Sequence, residues 1–187
     1  MNIFVGCASR LPQNKEYQKL AEDIGNFIVE GKHNLVFGAY NHGLMGTVYS
    51  VVEKTMSSDV IAVTCKRFEA DLEELSYKEP AYVSDTIAGR KDCFNNVSDV
   101  LLFIPGGIGT LDEIVSAIES KRNEEHNLPI IIINQNGFFD HLLNMFEKIY
   151  DEKFSDGTAR KLYIVVDNFE EALPFLKSFE ILTDVNK

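Results

Sequence analysis

Two groups of residues in this 187-residue chain have types that could do chemistry together. One is the pair Arg90-Lys91. The other is the run Pro105-Gly106-Gly107-Ile108-Gly109-Thr110-Leu111-Asp112-Glu113. Glycines admit backbone angles closed to other residues and let a ligand approach the chain closely. A helix that begins just after them aims unpaired N–H groups and a partial positive charge at the corner. Gly106, Gly107, Gly109 and Thr110 therefore suit a phosphate, or else form a plain strand-to-helix turn. The run is not a nucleoside-triphosphatase loop, because Thr110 stands where a lysine would follow the last glycine. GGIGT also lacks the GxGxxG spacing of a dinucleotide site.

Two carboxylates directly after an anion corner call for an explanation. The T-x-x-E spacing of Thr110 and Glu113 fits a capping box, and Asp112 suits the positive end of a helix dipole. Arg90 could fork onto a phosphate or orient a reacting sugar; a solvated helix face is the alternative for Arg90 and Lys91 alike. A third stretch, Gly38 to Gly46, ends in Gly43-Leu44-Met45-Gly46. It reads either as close packing of a loop on a helix or as a second wall for a ligand, which His42 could then touch.

Short apolar runs alternate with longer amphipathic ones. Strands are predicted over 2–8, 34–37, 60–64, 100–104, 129–133 and 162–166. Helices are predicted over 14–30, from the glycine loop to about 56, over 82–97, over 111–124 and 138–153, and from Asn168 onward, where Glu171 completes a capping-box spacing. Asn14 is the expected N-cap of the first helix and Gly31 its stop. The acidic stretch 68–80 has no clear period. Continuous apolar strands alternating with helices imply one α/β domain over 1–187: a Rossmann-like, doubly wound parallel sheet with helices on both faces. Such sheets bind ligands at the carboxyl ends of their strands, where Gly6, Gly38–Gly46 and Gly106–Gly109 all fall.

Composition narrows the function classes. A formal net charge of -11 argues against a nucleic-acid polymer as partner, which needs a basic surface. No apolar run reaches the roughly 20 residues of a membrane span, and the start lacks the features of a signal peptide. Cys7, Cys65 and Cys93 are widely spaced, and the four histidines show no paired ligand spacing. These features read as a cytoplasmic, metal-free chain.

Taken together, Gly43-Leu44-Met45-Gly46, Arg90-Lys91 and PGGIGTLDE resemble, in order and spacing, the LONELY GUY (LOG) proteins, once named as lysine decarboxylases. The resemblance covers roughly residues 2–150, with His126 and Pro129 also in register. It implies a Rossmann-like homodimer, with the active site near the subunit interface. It also implies phosphoribohydrolase activity on nucleoside 5′-monophosphates, either cytokinin riboside monophosphates or AMP. By the same resemblance Arg90 and Glu113 are the catalytic pair. Gly106, Gly107, Gly109 and Thr110 are the phosphate cradle, with Gly43 and Met45 nearby and Lys91 in support. No cofactor is implied, and nothing suggests the pyridoxal phosphate site that decarboxylation would need.

The chain departs from the family pattern at several positions. Tyr40 ends a triplet that is often three glycines, and Ile87 and Phe94 replace methionines. Ser120 replaces a common tryptophan and Leu128 a lysine. These changes leave base preference open. Two alternatives remain: a non-catalytic nucleotide- or phosphate-binding module, and an N-glycosidase of pyrimidine or deoxyribose nucleotides.

Overall fold

The computed structural model describes residues 1–55, 57–68 and 80–185. Seven strands form one parallel sheet: β1 Asn2–Gly6, β2 Asn34–Phe37, β3 Val60–Cys65, β4 Tyr82–Ser84, β5 Val100–Phe103, β6 Ile130–Ile133 and β7 Ile164–Val166. Their order across the sheet is β4-β3-β2-β1-β5-β6-β7. The helices are α1 Lys15–Glu30, α2 Gly43–Glu53, α3 Ile87–Val97, α4 Ile108–Arg122, α5 Asp140–Asp151 and α6 Phe169–Val185. The chain winds outward from β1 to one edge, then restarts at β5 and winds to the other. The switch point, where an open parallel sheet leaves a crevice, thus lies between β1 and β5.

The strands are apolar on both faces because both faces are covered. Alternate residues go opposite ways. Ile3, Val5, Leu35, Phe37, Leu102 and Ile131 join a core built with α1, α2 and α6. Phe4, Val36, Val63, Leu101, Phe103 and Ile130 join a second core with α3, α4 and α5. This is the doubly wound sheet that the sequence pattern implies.

Local signals held where a side chain could satisfy the backbone. Asn14 caps α1, its side chain accepting from the Glu16 N–H at 3.0 Å. Asn168 accepts from Glu171 N–H at 2.9 Å, and the Glu171 carboxylate takes the N–H of Asp167 at 3.1 Å, one residue earlier than a strict capping box. Gly31 does end α1, but the left-handed residue is Lys32, with φ 52°.

Two expectations are corrected. The stretch 82–97 is not one helix: Tyr82–Ser84 pairs with β3 as an edge strand, and α3 starts only at Ile87. Tyr82 and Val83 favour an extended backbone. Thr86 then starts the helix by accepting the Gly89 N–H at 3.0 Å. Arg90 consequently falls in the first turn of α3, next to the carboxyl ends of β2 and β3, rather than midway along a helix. The second correction is that α4 begins at Ile108, three residues before Leu111, with Gly107 as its uncapped N-cap. Thr110 lies inside the helix, so it is not the cap that Glu113 would complete. Most of the stretch 68–80 lies outside the described residues.

Gly43 opens α2 at φ +67°, and a Cβ there would strike the main chain of Ser9 and Arg10. Gly107 has an ordinary φ of -87°, and nothing lies within 4 Å of an added Cβ. Gly43→Ala should therefore lose about 2 kcal/mol or more of stability, while Gly107→Ala stays within roughly 0.5 kcal/mol of the parent. Urea midpoints of the two variants measure this directly; an unchanged midpoint for Gly43→Ala would show that the close approach is not needed.

Candidate active site

A cleft of about 350 Å³ opens at the carboxyl edge of the sheet, over the β1–β5 switch point. One wall is the start of α4, with Gly107, Gly109 and Thr110. The opposite side is the turn after β2, with Gly38, Ala39 and Tyr40. Met45, Arg90 and Glu113 complete the lining together with Cys7, Ser9 and Phe68.

The α4 corner is built to be open. Leu111 is the first residue whose N–H bonds back along the helix, to Gly107 O at 3.1 Å. No side chain caps the terminus, so the amides ahead of Leu111 lack an intrahelical partner. Gly107 and Gly109 have empty space where a Cβ would be. Gly106 differs: a side chain there would collide with that of Thr110, which is buried against it. Gly106 thus packs the corner, while Gly107 and Gly109 face the cleft.

Arg90 is fixed by the backbone. Its Nε donates to Val63 O at 3.0 Å and its Nη2 to Gly38 O at 2.6 Å. Its guanidinium carbon lies 5.0 Å from the Phe94 ring centre and 5.7 Å from that of Phe68. A side chain at Gly38 would meet Nη2 and could be accommodated only by displacing the Arg90 anchor. Burial lowers the pKa of Arg90, and the charge of Glu113 opposes that shift.

Glu113 lies one turn beyond the open corner. Burial raises its carboxyl pKa to about 7; Arg90 pulls it down, Asp112 pushes it up and Lys91 pulls it down by smaller amounts. Cys7 is fully enclosed nearby. Burial and the neighbouring Glu113 push its thiol far up, so it is no nucleophile. On its far side Glu113 also lines a second cavity of about 220 Å³ between α3 and α4, with Lys91, Asn95, Ser116 and Ser120.

Among the residues predicted from sequence, Met45, Arg90, Gly107, Gly109, Thr110 and Glu113 come together in the cleft. Lys91, Gly43 and Gly106 do not line it. The Lys91 ammonium bonds both oxygens of Asp112 at 2.9 Å and Ser116 Oγ at 2.7 Å, tying α3 to α4 in the second cavity. His42 lies in a separate groove between α1 and α2. Cys7, Ser9 and Phe68 were missed. Each lies within three residues of the carboxyl end of β1 or β3, and the rule that ligands sit at strand carboxyl ends would have flagged them.

The fold and cleft define a parallel α/β protein with an open, glycine-rich helix start, an anchored guanidinium and a half-buried carboxylate at its switch point. Residues 38–176 match the family described as possible lysine decarboxylase, and the chain belongs to that family. It is 30% identical over 171 residues to a cytokinin riboside 5′-monophosphate phosphoribohydrolase of Mycobacterium tuberculosis, covering 91% of this chain and 90% of that one. It is 29% identical over 178 residues to an Arabidopsis thaliana protein of the same name, covering 95% and 83%. The molybdenum cofactor carrier protein of Chlamydomonas reinhardtii shares the fold, with a TM-score of 0.64 and 16% identity over 96% of this chain and 98% of that one.

The raised pKa of Glu113 has a consequence for stability. Between about 4.5 and 7 the folded protein holds a proton that the unfolded chain has released, so this carboxyl destabilises the fold increasingly as pH rises through that window. Below it, both states are protonated and the penalty vanishes. Glu113→Gln should thus be more stable than the parent at pH 8, by up to about 3 kcal/mol, and nearly equal to it at pH 4. Denaturation of both proteins at the two pH values gives the difference; a Gln variant that is less stable at pH 8 contradicts the assigned burial.

Proposed function

We propose that this protein hydrolyses the N-glycosidic bond of a nucleoside 5′-monophosphate, AMP-like or a cytokinin riboside monophosphate, to free base and ribose 5-phosphate. The observation that carries the reading is a half-buried carboxylate one helical turn from an uncapped, glycine-opened helix terminus. An anion-binding site has no use for that acid, whereas a sugar acquiring positive charge does.

The 5′-phosphate sits on the free amides at the start of α4, held by Gly107, Gly109 and Thr110. This anchor fixes the ribose against Glu113, so binding energy remote from the bond positions the bond. As the C1′–N bond breaks, its electron pair leaves with the base and the ribose becomes an oxocarbenium ion. The Glu113 carboxylate stabilises that cation and orients the water whose oxygen bonds to C1′. The carboxylate takes one water proton and the other stays on the new C1′ hydroxyl; the departing base nitrogen gains one proton from solvent, to which the carboxylate gives its proton back, so one water is consumed and Glu113 ends ionised. Arg90, with two donors committed to the backbone, offers its remaining edge to the phosphate or the leaving group. Lys91 acts through Asp112 and Ser116, by setting α4 against α3. No cofactor takes part. The reading includes a cytoplasmic homodimer with the site near the interface. Ile108, exposed at the start of α4 between Gly107 and Gly109 of the cleft wall, supports that placement. No helix of the described residues is long and apolar enough to cross a membrane.

Incubation with a panel of nucleoside 5′-monophosphates, purine and pyrimidine, ribo and deoxyribo, should release free base. Glu113→Gln and Arg90→Ala should each lose at least about 100-fold in kcat/KM. In the parent, kcat/KM should rise with pH through about 7 as Glu113 ionises. Saturable nucleotide binding without base release would instead make the protein a non-catalytic nucleotide carrier on this fold.

A further inference from the structure

The proposed chemistry leaves one end of the cleft unexplained. Arg90 marks that end, since it bonds the Gly38 carbonyl and lies against the Phe68 ring. Tyr40, two residues after Gly38, and Phe68, just after β3, both line the cleft there. No step of the hydrolysis as written uses either ring. They are nevertheless the flat surfaces that the cleft offers to whatever is attached at C1′.

Tyr40 is held as a wall rather than as a loose surface ring. The Gly38 carbonyl is fixed by the Arg90 guanidinium. Ala39, buried at 2% exposure, adopts φ +55°, a left-handed conformation that a non-glycine residue reaches only at a cost. Such strain persists when the surroundings over-determine it, and it clusters at ligand sites. This turn directs the chain so that Tyr40 faces the cleft. The His42 ring then meets the Tyr40 ring edge-on, with centroids 5.3 Å apart. For Tyr40 to swing aside, that ring contact would have to give way.

Resting on the hydrolase reading, we propose that Tyr40, with Phe68, forms an aromatic base-recognition wall. It stacks on the face of a planar base. The site would then bind a nucleoside monophosphate more tightly than base-free ribose 5-phosphate, and Tyr40 would supply much of the difference. Stacking on an aromatic side chain is tolerant of ring identity but needs a flat partner.

The test compares the parent, Tyr40→Ala and Tyr40→Phe with three ligands: AMP, an N6-alkylated AMP, and ribose 5-phosphate, which has no base. Calorimetry on Glu113→Gln versions gives affinities without turnover, and kinetics on the Glu113 enzymes gives kcat and KM. Tyr40→Ala should weaken AMP binding about 10-fold, within the range for loss of one stacked ring, with the kinetic loss in KM rather than kcat. The N6-alkylated nucleotide, which carries the same flat ring, should weaken by a similar factor. Ribose 5-phosphate affinity should not change, and Tyr40→Phe should resemble the parent. The proposal is overturned if AMP affinity is the same in parent and Tyr40→Ala, or if ribose 5-phosphate affinity falls as far as AMP affinity. If the parent releases no base from any nucleotide, the hydrolase reading fails, and the three affinities still decide whether Tyr40 recognises the base.

Discussion

Arg90 spends its hydrogen bonds on the backbone, and the geometry of the cleft depends on that choice. A guanidinium this buried must find acceptors or lose more in desolvation than it gains. It takes the carbonyls of Gly38 and Val63, at or near the ends of β2 and β3. With those donors committed, it makes no direct ion pair with Glu113, and the two interact only through their charges. A closed pair would have been neutral and inert. Held apart, the carboxylate keeps a raised pKa and the guanidinium keeps an edge free, so both remain available to a third group.

The same bonds decide where glycine is needed. A side chain at Gly38 would meet Nη2 and could be accommodated only by displacing the Arg90 anchor, and one at Gly106 would collide with that of Thr110. Gly43 and Gly46 are confined by the main chain of Ser9–Arg10 and of Asn41 respectively. Gly107 and Gly109 have no such neighbour. The glycines of these two corners thus divide into those that let protein pack on protein and those that leave room for a ligand. Both members of the second kind face the cleft, at the uncapped start of α4.

Much of the fold was legible because burial on both faces of a parallel sheet writes itself as short apolar runs, as at Ile130–Ile133. Side-chain caps such as Asn14 and Asn168 were equally plain. What could not be read was set by partners distant in sequence. The break at Asp85–Thr86 depends on β4 pairing with β3, which leaves Arg90 at the head of a short helix. Within the candidate site, Arg90, Glu113 and the open glycines could be picked out by type and spacing. Whether Lys91 or Gly43 faced a ligand could not. Lys91 points to Asp112 across a helix pair, and the spacing of neither helix encodes that. Cys7, Ser9 and Phe68 have no motif of their own and enter the cleft because β1 and β3 end within three residues of them.

The two adjacent carboxylates illustrate how helix geometry resolves a conflict that sequence alone presents. Neighbours on an α-helix project about 100° apart, so Asp112 and Glu113 cannot share a surface. Asp112 is half exposed and bound by Lys91, with the side chain 50% accessible and the ammonium 2.9 Å away. Its charge is spent outside the cleft and repels an anion there only weakly. Glu113 turns inward, past the first turn of α4, where the helix terminus no longer stabilises it strongly and burial dominates. In the proposed reaction a phosphate on the terminal amides and a carboxylate one turn further on would therefore occupy successive levels of the same helix. The positive end of α4 serves the first, and a cation developing on the sugar between them would serve the second.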